Sequence, residues 1–349
     1  MTHERVKLKL PSGCTVDAIA PVILSVSRST DIPAFHTEWF INRWKAGYSV
    51  WVNPYSNAPQ YVSFEKVKGI VFWTKNPSKE MIEFQKELEK DGVHTYFQYT
   101  LNDYENEKFE PFLPSLDQRI ERFIELSKAV GSDRVIWRFD PLFLMNQDTL
   151  ISRIKYIGDK LRGYTHKLVF SFVDINCYKK VQANLIKYTD NYNERNVLDA
   201  EYTPELMESM ASRLATLRDM WIHEGWDIEL ATCGEVFDLD KYKIQHNRCI
   251  DSEQFKKIAK DDAEFMNYLT YGGMLTIKER TPKQLKDPGQ RLVCGCMLSK
   301  DIGMYNTCPH FCVYCYANAS RELVTENFSK RNVNSESIVP MIYIAKLNK

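Results

Sequence analysis

The chain has no net charge: 46 Lys plus Arg balance 46 Asp plus Glu over 349 residues. No global field therefore draws it to nucleic acid or to an anionic membrane, and only a local basic groove would serve such a partner. No apolar run approaches the length of a bilayer span, so no membrane partner is expected. The opening Met1-Thr2-His3-Glu4-Arg5-Val6-Lys7 holds no secretory hydrophobic region. With nine cysteines, this leads us to expect a reducing cytoplasm. Clustering of those cysteines toward the C-terminus points to metal rather than disulfides. Internal repeats and low-complexity tracts are absent. No glycine-rich turn follows the first apolar run, which argues against an open dinucleotide-binding sheet.

What the chain does have is a series of short β-rich runs. They are Val22–Ser27, Tyr48–Val52, Gly69–Thr74, His94–Thr100, Arg134–Phe139, Leu168–Phe172 and Asp227–Thr232. Near-continuous apolar runs suit strands buried on both faces. Amphipathic segments lie between them. Ser115 and Gln118 form a capping box ahead of Ile120, Phe123 and Ile124. Thr203-Pro204 opens a helix in which Met207, Met210, Leu214, Leu217 and Trp221 recur at helical spacing and Gly225 stops the run. Seven strand–helix units predict a parallel α/β fold, TIM-barrel-like, complete or partial. The expected layout is an N-terminal extension or edge hairpin (1–20), the barrel (21–238), an irregular insertion (239–290, with Gly272-Gly273 and Pro282) and a cysteine-rich segment (291–349). Leu292–Leu298 is read as a late strand feeding that last segment.

In a barrel, function gathers at the C-terminal ends of the strands. Polar residues recur there: Ser27-Arg28-Ser29-Thr30-Asp31, Asn53, Thr74-Lys75-Asn76, Gln98 and Thr100, Arg138 and Asp140, Ser171 and Asp174, Cys233 and Glu235. Helix caps and salt bridges account for such residues equally well one at a time. Their convergence predicts a polar mouth. Arg28, Lys75 and Arg138 are the residues expected to take an anion. Asp31, Asp140 and Glu235 are expected to bind ribose hydroxyls or to orient those cations. His36, His94 and His166 are too scattered for a hydrolytic metal site.

Thr307-Cys308-Pro309-His310-Phe311-Cys312-Val313-Tyr314-Cys315-Tyr316 spaces three thiols at C-x3-C-x2-C. Three thiolates can hold three corners of a [4Fe-4S] cube and leave the fourth iron open, whereas a closed cluster takes four cysteines. Zinc, a closed cluster with a fourth ligand such as His310, and unligated thiols are the alternatives. Cys233, Cys249, Cys294 and Cys296 would suffice for a second [4Fe-4S] cluster, or for zinc, or are unligated. Cys14 and Cys177 have no evident partner and are read as structural.

The triplet, with Tyr314 ahead of its last cysteine, resembles the signature of radical S-adenosylmethionine (SAM) enzymes. That resemblance implies a cluster that chelates SAM, reductive cleavage to a 5′-deoxyadenosyl radical, and an electron donor such as flavodoxin or ferredoxin. It also implies that Tyr314 lies near the adenine. A wider resemblance runs through Ser25–Phe35, Val71–Pro77, Val135–Pro141 and Tyr305–His310, which look like an uncharacterised bacterial family, domain of unknown function 1848. Radical SAM enzymes usually carry the cysteine loop after the first strand, and this chain carries it after all the clear ones. A permuted barrel would restore its place if a strand ending at Cys296 or Met297 lay beside Val22–Ser27. No Gly-Gly-Glu segment for the SAM amino group is found. The rival readings are a non-catalytic iron–sulfur or zinc protein for binding or electron transfer, and a barrel-type hydrolase or nucleic-acid repair factor with a structural metal. The substrate is not legible.

Overall fold

The computed structural model describes residues 2–272 and 279–344. Their strands form two sheets. The smaller has the order β1 (Glu4–Lys9), β2 (Thr15–Ala20), β5 (Pro59–Ser63), β4 (Tyr48–Val52). Its β1–β2 and β4–β5 pairs are antiparallel. The larger is parallel throughout and has eight strands. Its members are β3 (Ile23–Val26), β6 (Gly69–Thr74), β7 (His94–Thr100), β8 (Val135–Leu142), β9 (Lys167–Phe172), β10 (Glu229–Thr232), β11 (Gln245–His246) and β12 (Lys300–Asp301), in the order β11-β10-β9-β8-β7-β6-β3-β12.

The parallel α/β expectation holds, with corrections. Tyr48–Val52 is a strand of the small sheet, not of the parallel one. Asn53 is therefore not at the parallel strand ends, and its side-chain oxygen caps a turn by accepting from Tyr55 N and Ser56 N. Leu292–Leu298 forms no strand beyond a single bridge at Met297, and the chain pairs with β3 only at Lys300–Asp301. That pairing is parallel, and it lies beyond Cys296 and Met297, where the expected strand was to end. Among the described residues no ladder joins β11 to β12, so strand pairing does not close a barrel. Residues of the 239–290 segment fold into helices Ser252–Ile258 and Ala263–Tyr271, while Gly273 lies outside the described residues.

Strand side chains alternate between two faces. Leu24, Val26, Phe72, Phe97, Trp137 and Phe170 join the main core with the outer helices, including the capping-box helix Leu116–Val130 and the helix Pro204–His223. Ile23, Val71, Tyr96, Ile136 and Val169 face a second apolar cluster on the inner side. Phe255 and Phe265 of the two short helices close the N-terminal end of that inner side. They lie so near Gly69 that a Cβ there would stand 2.8 Å from each ring. Two residues further along each strand the inner positions become Ser25, Trp73, Gln98, Arg138 and Ser171. Period-two geometry thus turns an apolar floor into a polar mouth at the C-terminal ends.

Asp301 fastens β12 to β3. Its carboxylate accepts from Ser25 Oγ (2.8 Å), Ser27 Oγ (2.7 Å), Arg28 N (2.7 Å), Ser29 Oγ (3.2 Å) and Gly303 N (2.9 Å). Hydrogen bonds to an ionised acceptor contribute about 1.5–3 kcal/mol each, less where donors share an oxygen or meet water. Asp301→Ala is expected to cost about 3 kcal/mol, seen as a lower urea midpoint. An unchanged midpoint would show that the clasp contributes nothing.

Candidate functional site

The cysteine loop sits in a socket made by the ends of β3 and β6. Asp31 accepts from Ala34 N (3.0 Å) through one carboxylate oxygen. The other meets Lys75 N (2.8 Å) and His310 Nε2 (2.8 Å). His36 Nε2 reaches the Thr307 carbonyl at 3.1 Å, and Tyr316 OH donates to the Arg28 carbonyl at 2.9 Å. Phe311, between Cys308 and Cys312, has φ +53, a left-handed conformation that costs a bulky residue about 1–2 kcal/mol. Its ring meets Phe112 edge-on at 5.2 Å, which offsets part of that cost.

Cys312 is buried, and Cys308 and Cys315 are half-buried. The three thiols lie within range of each other's charge. Backbone N–H groups of His310 and Asp31 reach Cys308, and those of Ala317 and Asn318 reach Cys315. Burial pushes the Cys308 thiol up to about 12, and raises Cys312 and Cys315 as well. Burial thus favours neutral thiols in this loop, and a metal bound there would have to displace their protons. Among the described residues no three His, Cys, Asp or Glu side chains stand as a finished chelate.

Beside the loop lies a buried charge network that the sequence reading missed. Lys75 Nζ donates to Glu110 Oε1 (2.6 Å) and to Tyr314 OH (2.8 Å). Tyr314 OH also donates to Glu110. Asn102 Nδ2 donates to Glu110 at 3.0 Å, and Arg119 Nη1 stands 3.6 Å from its second oxygen. Burial pushes the Glu110 carboxyl up, but Lys75 and Arg119 overcome this and hold it below the ordinary carboxylate range. Tyr314 is thus an anchor directed into the core, with its ring 5.7 Å from Phe143. Glu110 lies on an irregular connection, where no periodicity marks a residue as buried; the Lys75 opposite it was the available signal.

The second group of cysteines is brought together by three separate segments. Cys233 follows β10, Cys249 follows β11, and Cys294 and Cys296 precede β12. Cys233 Sγ and Cys249 Sγ are 3.3 Å apart, and Cys296 lies close enough to influence the ionisation of both Cys249 and Cys294. Arg138 Nη1 donates to Cys249 Sγ (2.9 Å) and Gln98 Oε1 (3.3 Å), and its other nitrogen pairs with Asp140. Ser171 Oγ donates to the same carboxylate. Burial pushes Asp140 up, yet Arg138 holds it below the ordinary range. Glu235 accepts from Phe172 N at 2.7 Å, and burial raises its carboxyl to about 7. Asp174 is exposed and 3.5 Å from Arg291. Arg28 stacks on Trp73 at 5.2 Å, and its Nη2 is buried with no hydrogen-bond partner. The histidines remain apart: His94 is on Asp262, and His166 on Ser132 and the Asp227 carbonyl. Cys14 and Cys177 are exposed and unpaired with any other thiol.

The family model described as domain of unknown function (DUF1848) matches residues 23–317. The chain belongs to this family. No curated protein and no solved structure matches it. The match reaches from the first strand of the parallel sheet through the last cysteine of the loop, so the DUF1848 unit includes both cysteine groups.

One thiol stands apart in reactivity. The hydrogen bond from Cys296 is the main influence that lowers Cys294, to about 7, and Cys294 is half-buried rather than enclosed. In metal-free protein Cys294 is expected to alkylate before the three loop thiols, its rate rising through about pH 7. Peptide mapping after a short iodoacetamide pulse at several pH values checks this; earlier labelling of Cys312 would contradict the arrangement.

Proposed function

We propose that this DUF1848 chain is a radical SAM-type enzyme on a partial, permuted barrel, with Cys308, Cys312 and Cys315 as the thiolate ligands of a [4Fe-4S] cluster. The observation that supports the reading best is the loop itself. Its three thiols share one socket at the parallel strand ends, and backbone amides reach Cys308 and Cys315. Hydrogen bonds to sulfur are one of the means by which a protein tunes an iron–sulfur centre. When bound, the cluster and SAM supply one-electron cleavage of the sulfonium, with 5′-deoxyadenosine released after hydrogen abstraction from an unidentified substrate. The chain's residues hold and shield. Lys75 lies close enough to Cys312 for each to feel the other's charge, and Glu110 and Tyr314 fix that ammonium in place. Asp31 joins the strand ends to the loop through His310. Glu235, with its carboxyl near 7, is suited to hold or release a proton at the mouth. An electron donor such as flavodoxin or ferredoxin belongs to the same proposal.

His310 favours a second reading. Its Nε2 is committed to Asp31, while its Nδ1 is buried with no hydrogen-bond partner. A carboxylate-oriented imidazole is a competent metal ligand. If Nδ1 completes the set, the centre is closed and serves binding or electron transfer.

The deciding experiment is 5′-deoxyadenosine formation by anaerobically reconstituted protein with SAM and dithionite, beside Cys312→Ala. Production by the wild type that falls to background in the variant is the expected outcome. Absence of product from fully cluster-loaded wild type, together with metal loss in His310→Ala, selects the closed centre.

A further inference from the structure

We infer that Cys233, Cys249, Cys294 and Cys296 form a second metal centre, a four-thiolate site around a dicationic core, with Arg28 and Arg138 facing its net negative charge. This goes beyond the radical SAM reading and does not depend on it.

Three observations meet here. The first is convergence. Segments from both edges of the parallel sheet bring four thiols into one neighbourhood, with Cys233 against Cys249 and Cys296 within electrostatic reach of Cys249 and Cys294. Met297 N donates to the Ile250 carbonyl at 3.0 Å, and Tyr96 OH and Gln98 Nε2 donate to the Cys249 carbonyl at 2.7 and 2.8 Å. The backbone beside two of the thiols, Cys249 and Cys296, is therefore pinned over the inner face. The second is a set of donors aimed at sulfur. Arg138 Nη1 and Asn247 Nδ2 reach Cys249 Sγ at 2.9 and 3.2 Å, and Ile250 N reaches Cys296 Sγ at 3.4 Å. Donors outside the ligand set orient and stabilise bound thiolates.

The third is charge. Arg28 and Arg138 both stack on Trp73, at 5.2 and 5.5 Å, and both lie within charge range of these cysteines. Arg138 has Asp140, but Arg28 Nη2 is buried with no partner. A buried guanidinium with an empty donor is costly. Four bare thiolates would be worse, because their mutual repulsion exceeds what two cations offset. Four thiolates around a zinc ion, or around a [4Fe-4S] core of charge two plus, carry a charge of two minus. Two guanidiniums beside the sulfurs offset part of that, since Arg138 also serves Asp140, and Arg28 then has an acceptor.

A disulfide does not explain the pair, since 3.3 Å between Cys233 Sγ and Cys249 Sγ far exceeds the bonded length of about 2.05 Å. Thiolates on one tetrahedral zinc stand about 3.8 Å apart, given Zn–S near 2.3 Å. The contact lies closer to that spacing, and a cube would require the two to separate. Cys294, half-buried on an irregular segment, is the end that must close in either case.

The test uses the full chain, prepared anaerobically and loaded either with zinc or with iron and sulfide. The triple variant Cys308→Ser/Cys312→Ser/Cys315→Ser is expected to retain about one zinc, or about four irons with matching sulfide. Zinc content supports a mononuclear site and iron content a second cluster. Adding Cys294→Ser to that variant is expected to weaken retention by about 10-fold or more. In the zinc form, cobalt substitution should lose thiolate-to-cobalt charge-transfer intensity on the same change. Circular dichroism equal to wild type verifies the fold, and Cys294, outside every strand, is the ligand whose loss the fold tolerates best. A folded triple variant that retains neither metal overturns the inference, as does retention unaffected by Cys294→Ser. Wild type loaded with iron and sulfide at both cysteine groups yet making no 5′-deoxyadenosine defeats the radical SAM proposal alone.

Discussion

The arrangement depends on returning the chain's last third to its first parallel strand. Asp301 accomplishes this by taking donors from Ser25, Ser27, Arg28 and Ser29, residues more than 270 positions earlier in the chain. A contact of that sequence separation must overcome a large loop-closure entropy, which grows only logarithmically with length. One carboxylate with five donors concentrates the required enthalpy in a single place. Gly303 makes room for it, because a Cβ there would lie 1.8 Å from Ser27 Oγ. Once β12 is fixed, only a few residues separate it from Cys308. The loop therefore falls at the C-terminal ends of β3 and β6, where Asp31 captures it through His310.

Burial of charge is the second constraint. Lys75, Arg119 and Arg138 are enclosed by the fold, and each has a carboxylate nearby: Glu110 for the first two and Asp140 for the third. Removing one member of such a set leaves an uncompensated buried charge, a loss of about 3–5 kcal/mol. Arg28 breaks the pattern by keeping a buried donor unfilled. The thiols follow the complementary logic. Burial raises Cys308, Cys312 and Cys315 alike and so favours their protonated form.

Six of the seven apolar runs read from the sequence lie in the parallel sheet, because runs buried on both faces leave a dense β-rich pattern. Tyr48–Val52 carries the same local pattern, and nothing local records which sheet a strand joins. β11 and β12 are two residues long, too short for any periodicity. The capping box at Ser115 and Gln118 was legible because it is a local interaction, and it occurs as read. The grouping of Cys233, Cys249, Cys294 and Cys296 was approachable only by counting thiols, since their proximity is set by tertiary contacts. Glu110 and Asp301 escaped for the same reason: single polar residues on connections look alike until the partner is in place.

The two cysteine groups are not electrostatically independent. Lys75 is felt by both Cys312 and Asp140, and Asp140 is paired with Arg138, which donates to Cys249. The path between them runs through buried groups, where screening by salt is weak. Negative charge gained at either set of sulfurs draws on the same few cations. Lys75 serves the loop, Arg28 and Arg138 serve the inner group, and Asp140 stands between the two, compensating Arg138 while stabilising Lys75. A polar layer built by strand alternation at one end of a parallel sheet thus serves both groups, and on the proposed reading negative charge gained at one would raise the cost of gaining it at the other.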